Sequence, residues 1–166
     1  MIQFDAALKS WNESGRQGVV CLPTGAGKTI LAVMAIGQVK RSSLIVVPTI
    51  DLLHQWNSVL SEYFGSPIGT LGGGQKQLEP ICVATYDTAR LMIESIGDKF
   101  GLLIFDECHH LPAEQYQFIA TCSIAPYRLG LSATVERSDG LESVLFELVG
   151  PLIYESQIKE LVSQSL

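Results

Sequence analysis

Charged side chains are scarce in this 166-residue sequence, since Asp, Glu, Lys and Arg make up only 17% of it. Hydrophobic residues make up 47%, and a chain with so much apolar material and so little charge is not a disordered one. A chain of this length buries about 70% of its unfolded surface and forms one globular domain without disulfides or a structural metal.

Long hydrophobic runs are missing as well. No apolar run approaches the ~20 residues that a membrane-spanning helix needs. The N-terminal residues 1–5 also lack the basic region followed by an apolar one that marks a secretory signal. We therefore expect an intracellular protein without membrane association, cytoplasmic in a prokaryote or an archaeon and nuclear in a eukaryote.

Cysteines are few, and none of the four forms the closely spaced pairs of a zinc site. Three of them lie in or beside apolar segments, so we expect reduced core residues. The group Cys108, His109 and His110 suggests a metal site or a cysteine nucleophile with a histidine base. However, adjacent residues of an extended chain point to opposite faces, and no second cluster completes a tetrahedral site.

Basic residues are outnumbered by acidic ones, 11 to 17, which gives a formal net charge of −6. This balance argues against a basic coat that binds nucleic acid over the whole surface. A local groove can still bind a phosphate backbone through main-chain amides and a few arginines, so net charge leaves nucleic-acid binding open.

Short apolar runs alternate with segments of helical periodicity, which is typical of an α/β fold with a parallel sheet and helices on both faces. We predict a flexible loop over 69–74. The predicted strands are 19–22, 44–47, 81–84, 102–105 and 127–131, and the predicted helices are 4–13, 28–40, 51–63, 87–94 and 112–121. Right-handed crossovers in such a sheet place ligands at the carboxyl ends of the strands.

A glycine-rich turn joins the first predicted strand to the next helix, the context that a phosphate-binding loop requires. Lys28 is expected to reach the β- and γ-phosphates of ATP, and the Thr29 hydroxyl to bind Mg²⁺. The alternative is an ordinary turn with a solvated lysine. The predicted nucleotide-binding residues are Pro23, Thr24, Gly25, Ala26, Gly27, Lys28 and Thr29.

Two acidic residues, Asp106 and Glu107, follow the apolar strand 102–105 directly. They are placed for separate tasks: Asp106 for holding Mg²⁺, and Glu107 for orienting and deprotonating the water that attacks the γ-phosphate. With Lys28 they are the predicted catalytic residues. The alternative is a solvated acidic pair at the end of a strand.

Five segments together resemble motifs I, Ia, Ib, II and III of superfamily 2 helicases, in the same order and with similar spacing: 22–29, 47–49, 84–87, 106–109 and 131–134. The stretches 106–113 and 124–134 more narrowly resemble the XPB family of DNA helicases and translocases. The resemblance implies a RecA-like P-loop NTPase lobe over residues 1–150, with 151–166 beginning the connection to a second lobe.

The same resemblance assigns further roles to individual residues. It implies that His109, Ser132 and Thr134 couple ATP to nucleic acid, and that Pro48, Thr49, Thr85 and Arg137 lie along the DNA backbone.

Two positions depart from the family pattern. In the family, a glutamine upstream of motif I normally recognises adenine. The register places Phe4 at that position, and Gln3, one residue away, is the further candidate for binding the nucleotide. Residues 137–139 correspond to the Arg-Glu-Asp element of the family, but this sequence has serine in place of the central glutamate.

The activity implied by the resemblance is ATP-driven movement along double-stranded or forked DNA. It would serve DNA repair or the opening of duplex DNA for transcription. ATP and Mg²⁺ are the implied cofactors, and a second RecA-like lobe, a nuclease or a repair complex are the implied partners. We expect weak activity from this lobe alone, since an arginine finger on the second lobe contributes ~10³–10⁵ in rate. Two alternatives stay open: a nucleotide-regulated docking module and the translocating subunit of a restriction enzyme.

Overall fold

The computed structural model describes residues 2–23, 27–134 and 140–156, which form an α/β domain built on one sheet. The strands are β1 (Gln17–Cys21), β2 (Ser43–Val47), β3 (Gly69–Gly72), β4 (Gln75–Gln77), β5 (Ile81–Thr85), β6 (Leu102–Phe105), β7 (Tyr127–Ser132) and β8 (Leu152–Glu155). The helices are α1 (Ile2–Glu13), α2 (Lys28–Val39), α3 (Ile50–Phe64), α4 (Tyr86–Ile96), α5 (Gln117–Thr121) and α6 (Glu142–Val149).

The sheet has the strand order β4-β3-β5-β2-β6-β7-β1-β8 among the described residues, and all its neighbouring pairs are parallel except β3 and β4. Alternate residues of the central strand β2 enter different cores. Ile45 and Val47 pack with α1, α2 and α3 on one face, whereas Leu44 and Val46 pack with α4, α5 and α6 on the other. The predicted parallel sheet with helices on both faces is confirmed.

The register of the strands brings three carboxyl ends level. Val46 of β2 lies opposite Phe105 of β6, and Val47 opposite Thr85 of β5. At the other side of the sheet centre, Cys21 of β1 lies opposite Ser132 of β7. Residues that follow these strands therefore meet at one edge of the sheet.

The prediction of a flexible loop over 69–74 is wrong. This segment forms β3 and a tight turn into β4, and the two strands pair antiparallel. Gly73 and Gly74 make the turn with φ of 59° and 82°, a region that glycine enters without steric cost. Pairing of β3 with β5 overrides the low strand propensity of glycine.

The helix predicted beyond Pro112, to about Thr121, is confirmed only in its second half. A 3₁₀ helix spans Cys108–His110, a series of turns follows it, and α5 covers only Gln117–Thr121. The elements α6 and β8 were not predicted. Helix α6 buries Leu145 and Val149, and β8 adds a parallel strand beside β1.

Candidate functional site

The predicted catalytic side chains converge at the carboxyl edge of the sheet. Lys28 is the first residue of α2, and Asp106 and Glu107 follow β6. The Lys28 ammonium nitrogen lies 3.4 Å from Glu107 Oε1, and the two side chains are 13% and 32% exposed. An ion pair spanning 79 residues of sequence therefore joins the glycine-rich turn to the acidic pair.

Gly27 precedes α2 in a left-handed conformation, with φ of 81°. The ring of Phe4 packs against it, and a Cβ atom at this position would lie 2.8 Å from Phe4 Cε1. Both the backbone angle and this contact require glycine here. The residues Thr24, Gly25, Ala26 and Arg137 and the side chain of Gln3 lie outside the described part of the structure.

Glu107 also adopts a left-handed backbone, with φ of 48° and ψ of 52°. Such a conformation is uncommon for a residue with a side chain and is concentrated at functional sites. It turns the chain from β6 into the 3₁₀ helix and leaves the Glu107 carboxylate beside Lys28.

Asp106 is only 5% exposed, and both of its carboxylate oxygens accept hydrogen bonds. The backbone N–H of Glu107 donates to Oδ1 and the indole N–H of Trp56 donates to Oδ2, each at 2.9 Å. The Tyr86 hydroxyl donates to the Asp106 carbonyl at 2.8 Å. Burial raises the pKa of the Asp106 carboxyl above its ordinary value, and the Trp56 hydrogen bond and the Lys28 charge oppose that rise.

His109 connects the acidic pair to the end of β7. Its Nδ1 lies 3.0 Å from Ser132 Oγ and 3.7 Å from Glu107 Oε2. The Ser132 hydroxyl donates to the Thr134 carbonyl and its oxygen accepts from the Thr134 N–H. The predicted coupling residues therefore form one connected network.

A cavity of about 400 Å³ opens between α2, α3 and the end of β6, a size within the range of about 300–1,000 Å³ typical of ligand sites. One wall is supplied by α3, which the sequence predicts as a helix over 51–63 without a role in the site. The lining residues are Gly27, Lys28, Thr29, Leu52, Gln55, Trp56, Val59, Asp106 and Glu107.

The chemistry of this cavity fits a magnesium–triphosphate. The Thr29 hydroxyl and the Asp106 carboxylate are hard oxygen donors, which Mg²⁺ prefers. The Lys28 ammonium supplies a positive charge for phosphate oxygens, and Gly27 leaves the backbone accessible at the start of a helix. The described residues contain no cluster of three or more His, Cys, Asp or Glu side chains that would suggest another metal site.

The threonines predicted to contact DNA both cap helices. Thr49 accepts a hydrogen bond from the Leu52 N–H and Thr85 from the Thr88 N–H, each at 3.2 Å. Thr49 is exposed, whereas Thr85 is only 7% exposed. The partly buried Pro48 precedes Thr49, and the pairing of β2 with β5 places these positions at one edge. Their contact with DNA stays a prediction.

The cysteines are free thiols, as predicted. Cys21, Cys82 and Cys108 are buried, and Cys122 is partly exposed. Burial raises the pKa of each of the three buried thiols, most strongly that of Cys108, which makes them poor nucleophiles. Among the helices that the structure describes, none is long and apolar enough to cross a bilayer.

Residues 2–137 match the family described as "Type III restriction enzyme, res subunit". The chain belongs to this family. Proteins with XPB names are similar over nearly the whole chain. The sequence is 47% identical over 158 residues to the DNA 3'-5' translocase XPB2 of Sulfurisphaera tokodaii, covering 95% of this chain and 36% of that protein. It is 35% identical over 170 residues to the DNA 3'-5' helicase XPB of Mycobacterium tuberculosis, covering 96% and 30%.

The predicted resemblance to XPB-type superfamily 2 helicases is confirmed by these relatives. The chain spans about a third of their length. The UvsW helicase of bacteriophage T4 superposes with a TM-score of 0.73 at 23% identity, covering 90% of this chain and 57% of that one. The Hef helicase domain of Pyrococcus furiosus gives 0.76 at 21% identity, covering 95% and 39%. The fold is therefore that of a RecA-like helicase lobe.

Proposed function

We propose that this family member is the ATP-hydrolysing first lobe of a DNA helicase or translocase that acts in repair or transcription opening. The observation that carries the proposal is the convergence of Lys28, Asp106 and Glu107 on one cavity at the carboxyl edge of the sheet. The curated relatives are named as DNA 3'-5' helicases and translocases, which supports DNA as the polymer.

The chemistry follows from the positions of the side chains. Lys28 binds the β- and γ-phosphate oxygens, and Thr29 and Asp106 would hold Mg²⁺, which would supply positive charge to the phosphate oxygens. Glu107 orients a water molecule toward the γ-phosphate and accepts its proton. The ion pair with Lys28 keeps the Glu107 carboxylate at the cavity before ATP enters.

The network of His109, Ser132 and Thr134 carries the state of Glu107 to the end of β7. We assign coupling of hydrolysis to DNA movement to this network, and contact with the DNA backbone to Pro48 and Thr49. Arg137 and Thr85 are further candidates for that contact. A lobe that acts on DNA works in the compartment that contains the DNA. This compartment is the cytoplasm in a prokaryote or an archaeon and the nucleus in a eukaryote.

The test is calorimetric binding of Mg·ATP to the chain and to a Lys28→Ala variant. We expect binding by the wild type and a loss of at least about 10-fold in the variant, since a charge-assisted phosphate contact is removed. Lys9→Ala, an exposed lysine of α1, is the matched control and keeps wild-type affinity. Absence of wild-type binding, or equal affinity in Lys28→Ala, would contradict the nucleotide site.

A further inference from the structure

Helix α3 delivers one buried side chain, Trp56, to the carboxylate proposed to hold Mg²⁺. Trp56 is 4% exposed, and its indole N–H lies 2.9 Å from Asp106 Oδ2, across 50 residues of sequence. The chain has two tryptophans, and the other, Trp11, donates its indole N–H to the backbone carbonyl of Arg128, also at 2.9 Å. Of these two tryptophans, Trp56 lines the cavity between α2 and α3 and Trp11 does not.

The two hydrogen bonds to Asp106 fix the plane of its carboxylate. The Glu107 N–H holds Oδ1 and the Trp56 indole holds Oδ2, so rotation about the terminal bond would break both. Each oxygen retains a lone pair for a metal ion or a metal-bound water. An indole is suited to this task because it donates one hydrogen bond, accepts none and carries no charge.

Packing and a capping residue fix the position of helix α3, which carries Trp56. Leu53, Trp56 and Leu60 are buried on one side of the helix against the same core as β2. The helix begins at the Thr49 cap, which directly follows β2 and Pro48. The indole is therefore held by packing as well as by its hydrogen bond, which preorganises the carboxylate.

We propose that Trp56 is a positioning residue that orients the Asp106 carboxylate for Mg²⁺ in the nucleotide complex. The inference rests on the proposed function, since it concerns the metal of the same site. It gives a residue of α3 a role in holding the metal, beside Thr29 of α2 and Asp106 at the end of β6. Outer partners of this kind typically change metal affinity by about 10- to 100-fold when they are removed.

The experiment measures binding of a non-hydrolysable ATP analogue as a function of free Mg²⁺ in wild type, Trp56→Phe and Trp11→Phe. Phenylalanine keeps an aromatic ring and removes the N–H donor. We expect Trp56→Phe to raise the Mg²⁺ midpoint by about 10-fold or more, while its affinity for the analogue in excess chelator equals that of wild type. Trp11→Phe loses a partly buried indole hydrogen bond of equal length and keeps the wild-type midpoint.

The outcomes separate the two proposals. If wild type does not bind the analogue with Mg²⁺, the nucleotide site fails and the role of Trp56 fails with it. If wild type binds and the Trp56→Phe midpoint is unchanged, only the positioning role is overturned. An equal loss of affinity for the analogue with and without Mg²⁺ would show that Trp56 only shapes the cavity. That result would also overturn the positioning role.

A spectroscopic measurement covers the case in which Trp56→Phe does not fold. In the Trp11→Phe protein, Trp56 is the single tryptophan, and its emission reports on the indole at the Asp106 carboxylate. We expect Mg²⁺ added to the analogue complex to change the emission intensity or wavelength, and Asp106→Asn to abolish the change. An emission that does not respond to Mg²⁺ overturns the proposal.

Discussion

Two residues of the site have backbone conformations that their neighbours enforce. Gly27 holds φ of 81° beneath the ring of Phe4, and Glu107 holds φ of 48° beside Lys28. The sequence predicts the first, because the pattern around Lys28 requires a glycine there. It does not predict the second, since nothing in the residue type of Glu107 indicates a left-handed angle. Strain at Glu107 is compensated by packing and pairing that only the folded chain provides.

Gly27→Ala is expected to destabilise the chain by about 1–3 kcal/mol, because its Cβ meets the Phe4 ring and its φ is positive. Gly37→Ala in the same helix is the matched control. Nothing lies within 4 Å of a Cβ atom there, so it stabilises by about 0.5–1 kcal/mol. Urea unfolding of both variants checks the prediction, and adding Phe4→Ala recovers part of the loss at Gly27. A neutral Gly27→Ala would contradict it.

Glu107→Gln is expected to keep Mg·ATP binding and to lower hydrolysis by about 10²–10⁴-fold, since the amide cannot accept a proton from water. The substitution preserves size and hydrogen-bonding geometry, so binding to the chain is measured by calorimetry. Hydrolysis is measured with the second lobe supplied. Full turnover in this variant would remove Glu107 from the role of general base.

The elements that carry the site were more predictable than those that complete the sheet. Strands β1, β2, β5, β6 and β7 are buried, mostly apolar runs, and helices α2, α3 and α4 show helical periodicity. The hairpin of β3 and β4 was missed because its stability comes from pairing with β5 and not from its glycine-rich sequence. Helix α5 is short because the chain after Pro112 forms turns first.

The helices that follow β2 and β5 share a design. Each begins at a threonine cap, and each delivers a buried aromatic donor to Asp106: Trp56 from α3 and Tyr86 from α4. Trp56 falls in the helix predicted over 51–63 and Tyr86 in the segment that resembles motif Ib, but the contacts of their polar atoms with Asp106 appear only in the folded chain. This is why neither was identified as a site residue from the sequence.

Thr85→Ala is expected to lower stability by about 1 kcal/mol, because it removes the cap of α4. Thr85→Ser keeps the hydroxyl and recovers most of that loss. The same pair of substitutions at Thr49 tests the cap of α3. Urea unfolding followed by circular dichroism provides the measurement. Equal stability of the alanine and serine variants would show that the caps contribute nothing.

At the scale of the whole molecule, the parallel sheet brings residues distant in the chain to one edge. Lys28, Asp106 and Ser132 follow or end three different strands, β1, β6 and β7. The alternation of strands and helices is enough to predict that Lys28 and Asp106 meet, whereas the role of Ser132 is implied by the resemblance to superfamily 2 helicases. The distances and the wall supplied by α3 were not predictable, because they depend on how α3 packs on β2.

DNA-stimulated ATP hydrolysis is expected to appear when a separately made second lobe is added to this chain, because an arginine finger supplies ~10³–10⁵ in rate. The chain with Lys28→Ala is the control and stays inactive in the same mixture. Phosphate release with and without duplex DNA provides the measurement. No stimulation, together with tight binding of a protein partner, would favour a nucleotide-regulated docking module.

The short strand β4 forms one border of the sheet, and its residues Gln75, Lys76 and Gln77 are all exposed. An open border with free amides and carbonyls invites strands of other molecules to join it. Here the border is three residues long, hydrophilic, and charged at its middle position. Such a border discourages intermolecular strand addition, so the lobe is protected on this side against growing into fibrous aggregates.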